Sequence, residues 1–441
     1  MKQTTSMVPQ LTLMAASSER GVDMHRLLRR LFDTAFRAAR ELEVKVKGKK
    51  LLKNLIYYPL IENEEALSDI LNRANWYFPE KSYSEAQITI PISSELSKHI
   101  KDFSKLVVPQ TQENYIKKNK RIVVTPMSKE ELSRSVLQSD AVLLWRAKEL
   151  FRIPQWIMNL DKVWIVDKNY FLVTEVRNYI WLFNETVPQE KMQELLGVAK
   201  KNFEKFRKQI SKYKKAYVFG TGPSVSKAFE FDFSDGFSIV TNTMVNDEKM
   251  MRHIKPVAIV HGDFVYHMGP SIYASRFREQ LFSKYGKELY SLIRFDIMPF
   301  LISVYPELEE KFVAFPMKLF AGSNIPSQEN YYLNLSNNSL VGYMLPVSCS
   351  IVDEIFILGC DGRKPEDKLF WSHAKTVFYA DLQKTLVETH PSVYRDTDFK
   401  VYYHETINDV DAFMKYAERK RKKFVSLTPS YIPALHRHEK K

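Results

Sequence analysis

Four short clusters in the 441-residue chain put polar or small side chains at the end of an apolar run. The first is Gly220-Thr221-Gly222-Pro223-Ser224, directly after AYVF. Its glycines allow a tight turn and the close approach of a phosphate or a ribose, and Ser224 stands where a hydroxyl caps a following helix, whose first amides attract anions. A tight strand-to-helix turn that holds no ligand is the plainer alternative. The second, Thr241-Asn242, follows FSIV; an Asn side chain both donates and accepts, which suits a ribose or pyrimidine edge. The third, His261-Gly262-Asp263, follows VAIV, with His267 close behind. The fourth, Gly359-Cys360-Asp361-Gly362-Arg363, follows IFIL.

The spacing excludes the commonest nucleotide sites. A dinucleotide fingerprint needs a third small residue at 225 and an acidic residue at the end of the next strand; Val225 and Asn242 stand there. No Lys-Ser or Lys-Thr follows the turn, as an ATP-binding phosphate loop requires. His261, Asp263 and His267 are a fragment of a two-metal hydrolase site without the partner carboxylates and histidines, so no metal is expected and Asp263 is read as a contact to donor or acceptor.

These clusters need a scaffold that brings strand ends together. From 216 onward, apolar runs without polar alternation (AYVFG, FSIVTN, PVAIVHGD, KFVAFP, DEIFILGCD) are separated by helical stretches, one of them over about 339–350. That is the pattern of a parallel sheet covered on both faces, and such sheets bind ligands at their carboxyl ends. The fold class expected is α/β, a Rossmann-like doubly wound, mostly parallel sheet, with a second, smaller α/β domain before it. RIVVTP at 121, AVLLW at 141 and KVWIVD at 162 read as strands of that smaller domain, and Ser128 with Glu131 has capping-box spacing for a helix between them. The expected divisions are a helical segment over 1–80, the small domain over 81–187, a connecting helix over 188–214 and the catalytic domain over 215–441.

Composition narrows the function classes. Hydrophobic residues form 45% of the chain, enough for large cores, and the net charge of +13 favours anionic neighbours. The basic clusters, Lys45–Lys53, Lys117–Arg121 and Arg419–Lys423, lack the interleaved aromatics of RNA binding, so no nucleic-acid partner is expected. Residues 21–43 have the spacing of a basic amphipathic helix, either packed or lying on an anionic membrane. Cys349 and Cys360 lie in apolar runs typical of core thiols. With neither a signal-type amino terminus nor a membrane-length apolar run, the location expected is cytoplasmic, with peripheral contact at the inner membrane through anionic lipid.

VFGTGPSV, TNTMVND and NNSLVGYMLPVSCSIVDEIFILGCDG, in this order, resemble the bacterial sialyltransferases of the Campylobacter and Haemophilus lipooligosaccharide type and the related DUF115 domain family. The resemblance covers about residues 216–432 and implies a GT-A-like sialyltransferase variant of the Rossmann-like sheet. It also implies a CMP-activated sugar donor, a glycan or glycolipid acceptor, transfer with inversion and no metal or other cofactor. Carried over by position, Gly220, Thr221, Gly222, Pro223, Ser224, Asn242, Asn338, Ser339 and Asp361 would line the nucleotide site. Thr221 stands where the family has Asn, and Leu340 where it has Gly. The aromatic residues that follow the family's Asp are replaced by Arg363 and Lys364, cations suited to a phosphate. Ser430, in the turn after the last expected strand, matches a residue near the donor.

The family's general base is a His downstream of that Asp, and His373 is its match, with His390 and His404 as rivals. The function expected is transfer of a CMP-linked acidic sugar (sialic or another nonulosonic acid, or Kdo) to a bacterial surface glycan or a protein hydroxyl. Two alternatives stand beside it: a pterin diphosphokinase using ATP and Mg²⁺, and a scaffold that binds a nucleotide sugar without turning it over.

Overall fold

The apolar runs assemble into two parallel sheets. In this computed structural model residues 50–100, 102–106, 119–147, 162–170, 174–318, 322–336, 338–363 and 373–440 are described. The amphipathic stretch at 21–43, Lys45–Lys49, Lys117, Lys118 and Lys364 lie outside the described residues. Among the described residues no helix is long and apolar enough to cross a membrane.

The first sheet contains β1 (Asn54–Tyr58), β2 (Gln87–Ile92), β3 (Ile122–Pro126), β4 (Ala141–Leu144) and β5 (Val163–Ile165). Their order is β3-β2-β1-β4-β5, so the winding reverses between β1 and β4. The second sheet contains β6 (Lys215–Phe219), β7 (Phe237–Thr241), β8 (Ala258–Val260), β9 (Tyr290–Arg294), β10 (Phe312–Phe315), β13 (Glu354–Leu358) and β14 (Lys423–Ser426). A short ladder, β11 (Met317–Lys318) with β12 (Leu333–Asn334), lies beside it in sequence. The order β10-β9-β8-β7-β6-β13-β14 reverses between β6 and β13. Every residue of β4, β7 and β10 is buried, as expected for strands covered on both faces.

Five of the described strands have no counterpart among the runs read from the sequence: β1, β2, β9 and the two-residue strands β11 and β12. β1 falls within the stretch read as helical up to residue 80 and lies at the centre of the first sheet, between β2 and β4. β9, in the stretch YSLIR, fills the gap between the expected strands at 256 and 311. The helix expected over 339–350 forms in two parts, a π-helical turn at Leu340–Met344 and an α-helix at Leu345–Cys349. Pro346 has no N–H for a regular α-helical ladder, and the wider turn precedes it. The helix at Lys129–Gln138 starts on the expected capping box: Ser128 Oγ accepts from Glu131 N–H (3.2 Å) and Glu131 Oε2 from Ser128 N–H (2.7 Å).

The helix Gln189–Ile210 closes the second sheet at β10. Its Phe203 ring meets Phe315 edge-on, and Asn202 Nδ2 donates to the Phe312 carbonyl at 3.0 Å, satisfying an acceptor of the edge strand. Leu51–Lys441 is one unit with a continuous core across both sheets. Polar contacts bind the halves as well. Trp76 Nε1 donates to the Met268 carbonyl (2.7 Å), Asn184 Nδ2 to the Asp296 carbonyl (2.7 Å) and Trp181 Nε1 to Asp296 Oδ2 (3.1 Å). A chain of ionisable side chains runs from the half-buried Asp69 through the buried Arg73 and Glu175 to His390, with Arg73 Nη2 also donating to the Thr389 carbonyl at 2.8 Å.

Candidate active site at the strand ends

Register brings the first and fourth clusters together. β6 pairs with β13 from Lys215 opposite Glu354 to Phe219 opposite Leu358, so Gly220 and Gly359 leave the sheet side by side where the winding reverses. Gly220 N–H donates to the Leu358 carbonyl and Gly222 N–H to the Gly359 carbonyl, both at 2.8 Å. The two loops touch backbone to backbone. A Cβ at Gly220 would strike the Gly359 carbonyl oxygen, and one at Gly222 the Asp361 carboxylate; Gly359 itself has φ +65°. Close approach, the property read from the glycines, is therefore used between loops of the protein.

Asp361 occupies the helix start expected to receive an anion. Its Oδ1 accepts from Ser224 N–H at 3.1 Å and its Oδ2 from Ser224 Oγ at 2.8 Å, so it caps the 3₁₀ turns Pro223–Glu230. A carboxylate there repels a phosphate at that spot. The carboxyl-terminal turn holds the same loop: Ser430 Oγ donates to the Cys360 carbonyl at 2.7 Å, and Thr428 Oγ1 accepts from Gly359 N–H at 3.1 Å. Ser430 is thus committed to the loop. Cys360, beneath the turn, is a thiol whose pKa burial pushes up to about 12, and burial does the same to Cys349.

His373 lies against this cluster. Its Nδ1 is 2.8 Å from Thr221 Oγ1, Ala374 N–H donates to the Thr221 carbonyl at 2.8 Å, and its ring stacks on Phe378 at 5.3 Å. Desolvation lowers its pKa to about 4, so the imidazole is neutral at neutral pH. The rival histidines have other settings. His390 is buried with Nδ1 3.0 Å from Glu175 Oε2, and His404 is exposed on the helix Phe399–Glu418.

The strand ends of β7, β8 and β9 line up next to the turn. Asn242 begins a 3₁₀ turn with φ +51°, a left-handed conformation that Asn adopts more readily than most side chains. Asp263 Oδ1 accepts from the Val265 and Tyr266 N–H groups, each at 2.8 Å. His267 fixes the same bend, its Nδ1 accepting from Gly262 N–H and Asp263 N–H at 3.1 Å each, which leaves its proton on Nε2. Asp263 is solvent-exposed, and the packed strand ends beside it partly desolvate its carboxyl. That desolvation raises its pKa, opposed by the two N–H bonds and by the Arg294 charge. Arg294, at the end of β9, is held by Asp296 through Nε (2.9 Å) and Nη2 (2.6 Å) and lies 4.6 Å over the Phe264 ring. His261, by contrast, is walled in by Phe277 and Phe282; neither ring nitrogen has a hydrogen-bond partner among the described residues, and desolvation takes its pKa to about 3.

The sequence-derived residues therefore divide. Gly220, Thr221, Gly222, Pro223, Ser224, Asp361, His373 and Ser430 form one bonded cluster. Among the described residues no side-chain hydrogen bond links Asn242, Asp263 or Asn338 to it. Asn338 is buried and its Oδ1 accepts from Leu340 N–H at 2.7 Å, starting the π-helical turn; Ser339 follows it, and Leu340 is in the core. Arg363 is half-buried next to Gly362, whose φ is +78°. Arg294 is absent from the sequence-derived set, and the end of YSLIR is the signal that yields it. His267 stands in the sequence only as part of an incomplete metal-site fragment, and its role in fixing the bend is visible only in the fold.

No protein-family model matches the chain. No curated protein matches it. Among solved structures, the E. coli ADP-heptose lps heptosyltransferase II is 11% identical over 78% of this chain and 99% of its own, at a TM-score of 0.18. A glycosyl transferase of family 9 from Veillonella parvula is 10% identical over 77% of this chain and 97% of its own, at a TM-score of 0.19. Superpositions that loose carry no argument about this chain.

Proposed function

We propose that the chain is an inverting, metal-independent glycosyltransferase that moves a CMP-activated acidic sugar onto a hydroxyl of a surface glycan or a protein, with His373 as the base. The observation that carries the reading is the 2.8 Å contact of His373 Nδ1 with Thr221 Oγ1, which joins a neutral imidazole to the turn where the winding reverses. With Nδ1–H donating to Thr221, Nε2 is left as the acceptor that a base requires. The acceptor oxygen attacks the anomeric carbon, its proton passes to Nε2, and the bond to CMP breaks with the electron pair leaving on the phosphate. The imidazole, held at about 4 by desolvation, is a weak base by itself, and an incoming phosphate charge raises it toward working pH.

Asp361 alters where the donor lies in this proposal. Its carboxylate and the neighbouring hydroxyls offer acceptors to ribose hydroxyls or to the cytosine amine, and the phosphate goes to Arg363. Asp263, solvent-exposed just past the end of β8, contacts the acceptor.

Thermal unfolding with CMP, CDP, UDP, GDP, NAD, and ATP with Mg²⁺ tests the donor, since a ligand that binds only the native state raises Tm by mass action. CMP or CDP should raise it. A rise with ATP and Mg²⁺ alone would replace the transferase with a diphosphokinase, and no rise at all would leave a scaffold. Once turnover of a CMP-sugar is measured, His373→Ala should lower kcat by about 10²–10⁴-fold while CMP affinity changes little.

A further inference from the structure

Away from the strand carboxyl ends, the chain has an open pocket of about 360 Å³. Ser350 and Lys422, in its lining, stand just ahead of β13 and β14, so it lies at the amino ends of the strands. The lining contains the cations Arg207, Lys420 and Lys422, together with Asn330, Ser350 and Tyr416, and not one carboxylate.

The chain path explains how these charges converge. The helix Phe399–Glu418 ends in a reversal: Arg421 has φ +64°, and the N–H groups of Lys420 and Lys422 both donate to the Ala417 carbonyl, at 2.8 and 3.1 Å. That left-handed residue turns the basic run 419–423 back on itself, placing Lys420 and Lys422 on one wall. Arg207 reaches the pocket from the last turn of the helix Gln189–Ile210. Two of the cations are steadied by carboxylates outside the lining. Arg207 Nη1 bonds Glu204 at 3.2 Å, and Lys422 Nζ bonds Asp353 Oδ1 at 2.6 Å and the Val352 carbonyl at 3.1 Å. Lys420 has no carboxylate partner among the described residues; its Nζ lies 5.2 Å from the centre of the Tyr416 ring.

We propose that this pocket binds a phosphate monoester, with Lys420 as the cation that meets the phosphate and Arg207 and Lys422 as its flanking charges. The volume exceeds what a bare phosphate fills and is at the small end for organic ligands, which suits a phosphate carried on a sugar-sized group. The same chemistry is available from a soluble sugar phosphate or from the headgroup of phosphatidic acid. The site is separate from the transferase reading and stands if that reading fails.

Titration of the full chain with glucose 1-phosphate and with inorganic phosphate, and cosedimentation with phosphatidic acid vesicles, test the proposal in wild type, Lys420→Glu and Lys287→Glu. Lys287 is exposed ahead of β9, five strands from β14 across the sheet, and its reversal changes net charge equally. Lys420→Glu should weaken binding by about tenfold or more and Lys287→Glu by less than about twofold. Loss confined to the sugar phosphate assigns the soluble ligand, and loss confined to the vesicles assigns the lipid. Binding by none of the three probes, or equal loss in both variants, overturns the site. Acetylation of wild-type lysines gives a readout free of any folding defect. Bound probe should slow labelling of Lys420 and leave Lys287 unchanged, and unprotected Lys420 would equally overturn the proposal.

Discussion

The two sheets share a winding rule and treat its reversal differently. In the five-stranded sheet the reversal between β1 and β4 is crossed by Trp145, whose N–H donates to the Tyr58 carbonyl at 3.1 Å and whose indole Nε1 donates to the Pro59 carbonyl at 2.7 Å. In the seven-stranded sheet the loops at β6 and β13 meet through glycines and carry a hydroxyl, a carboxylate and an imidazole. Topology alone thus creates a crevice, and the side chains there decide whether it serves packing or chemistry.

Variants can break that comparison at several strengths. The largest effect is expected where the halves join. Glu175→Ala strips Arg73 and His390 of their shared buried partner and should destabilise by about 3–5 kcal/mol, read in urea unfolding as a lower midpoint. If only the half containing the first sheet loosens, hydrogen exchange will show protection lost in β1–β5 and kept in β6–β14.

Next is Gly220→Ala, which pushes a methyl into the Gly359 carbonyl and should destabilise by about 2–3 kcal/mol and release His373 from Thr221. The imidazole pKa, followed by NMR, should then rise from about 4 toward its ordinary value of about 6.5. An unchanged pKa would mean that burial of His373 does not depend on the loop contact.

Acid sensitivity should concentrate in the seven-stranded half, which contains His261, His267 and His373. Their folded pKa values lie below the unfolded one, so the unfolded chain takes up protons first and stability is lost as pH falls below about 6.5. For His261, at about 3, the loss between about pH 7 and about pH 5 is roughly 2 kcal/mol. His261→Leu should flatten the dependence of the unfolding free energy on pH by up to one proton in that window. An unaltered slope would show that His261 takes up its proton in the native state as readily as in the unfolded chain.

The smallest effect belongs to the other reversal. Trp145→Phe keeps an aromatic ring and removes the indole bond to Pro59, so about 1 kcal/mol is expected from that bond. A loss equal to that of Gly220→Ala would erase the distinction between the two crevices.

The sequence reading recovered most of the second sheet because strands buried on both faces are near-continuous apolar runs, and AYVF, FSIV and IFIL leave little else to be. β1 and β9 escape it because NLIYY and YSLIR mix apolar with polar residues over five positions, too few for a period to show, β2 because QITIPI carries a Pro within the run, and β11 and β12 because they are two residues each. The capping box at Ser128 was legible because its partners are three residues apart.

What the sequence determined by itself was local: the strands, a turn that tolerates only small residues, and the candidates for chemistry near it. What the tertiary structure decided was who meets whom. The glycines of the turn face Gly359 and Asp361 rather than open space, and Ser224 is matched by a carboxylate 137 residues away. Of the three candidate histidines, His373 alone is bonded to the turn, His390 is sealed into a charge network, and His404 faces solvent. Residue type and spacing define what a side chain can do within a few turns of chain. Partners brought by a crossover connection depend on sheet order and register, which no local stretch encodes.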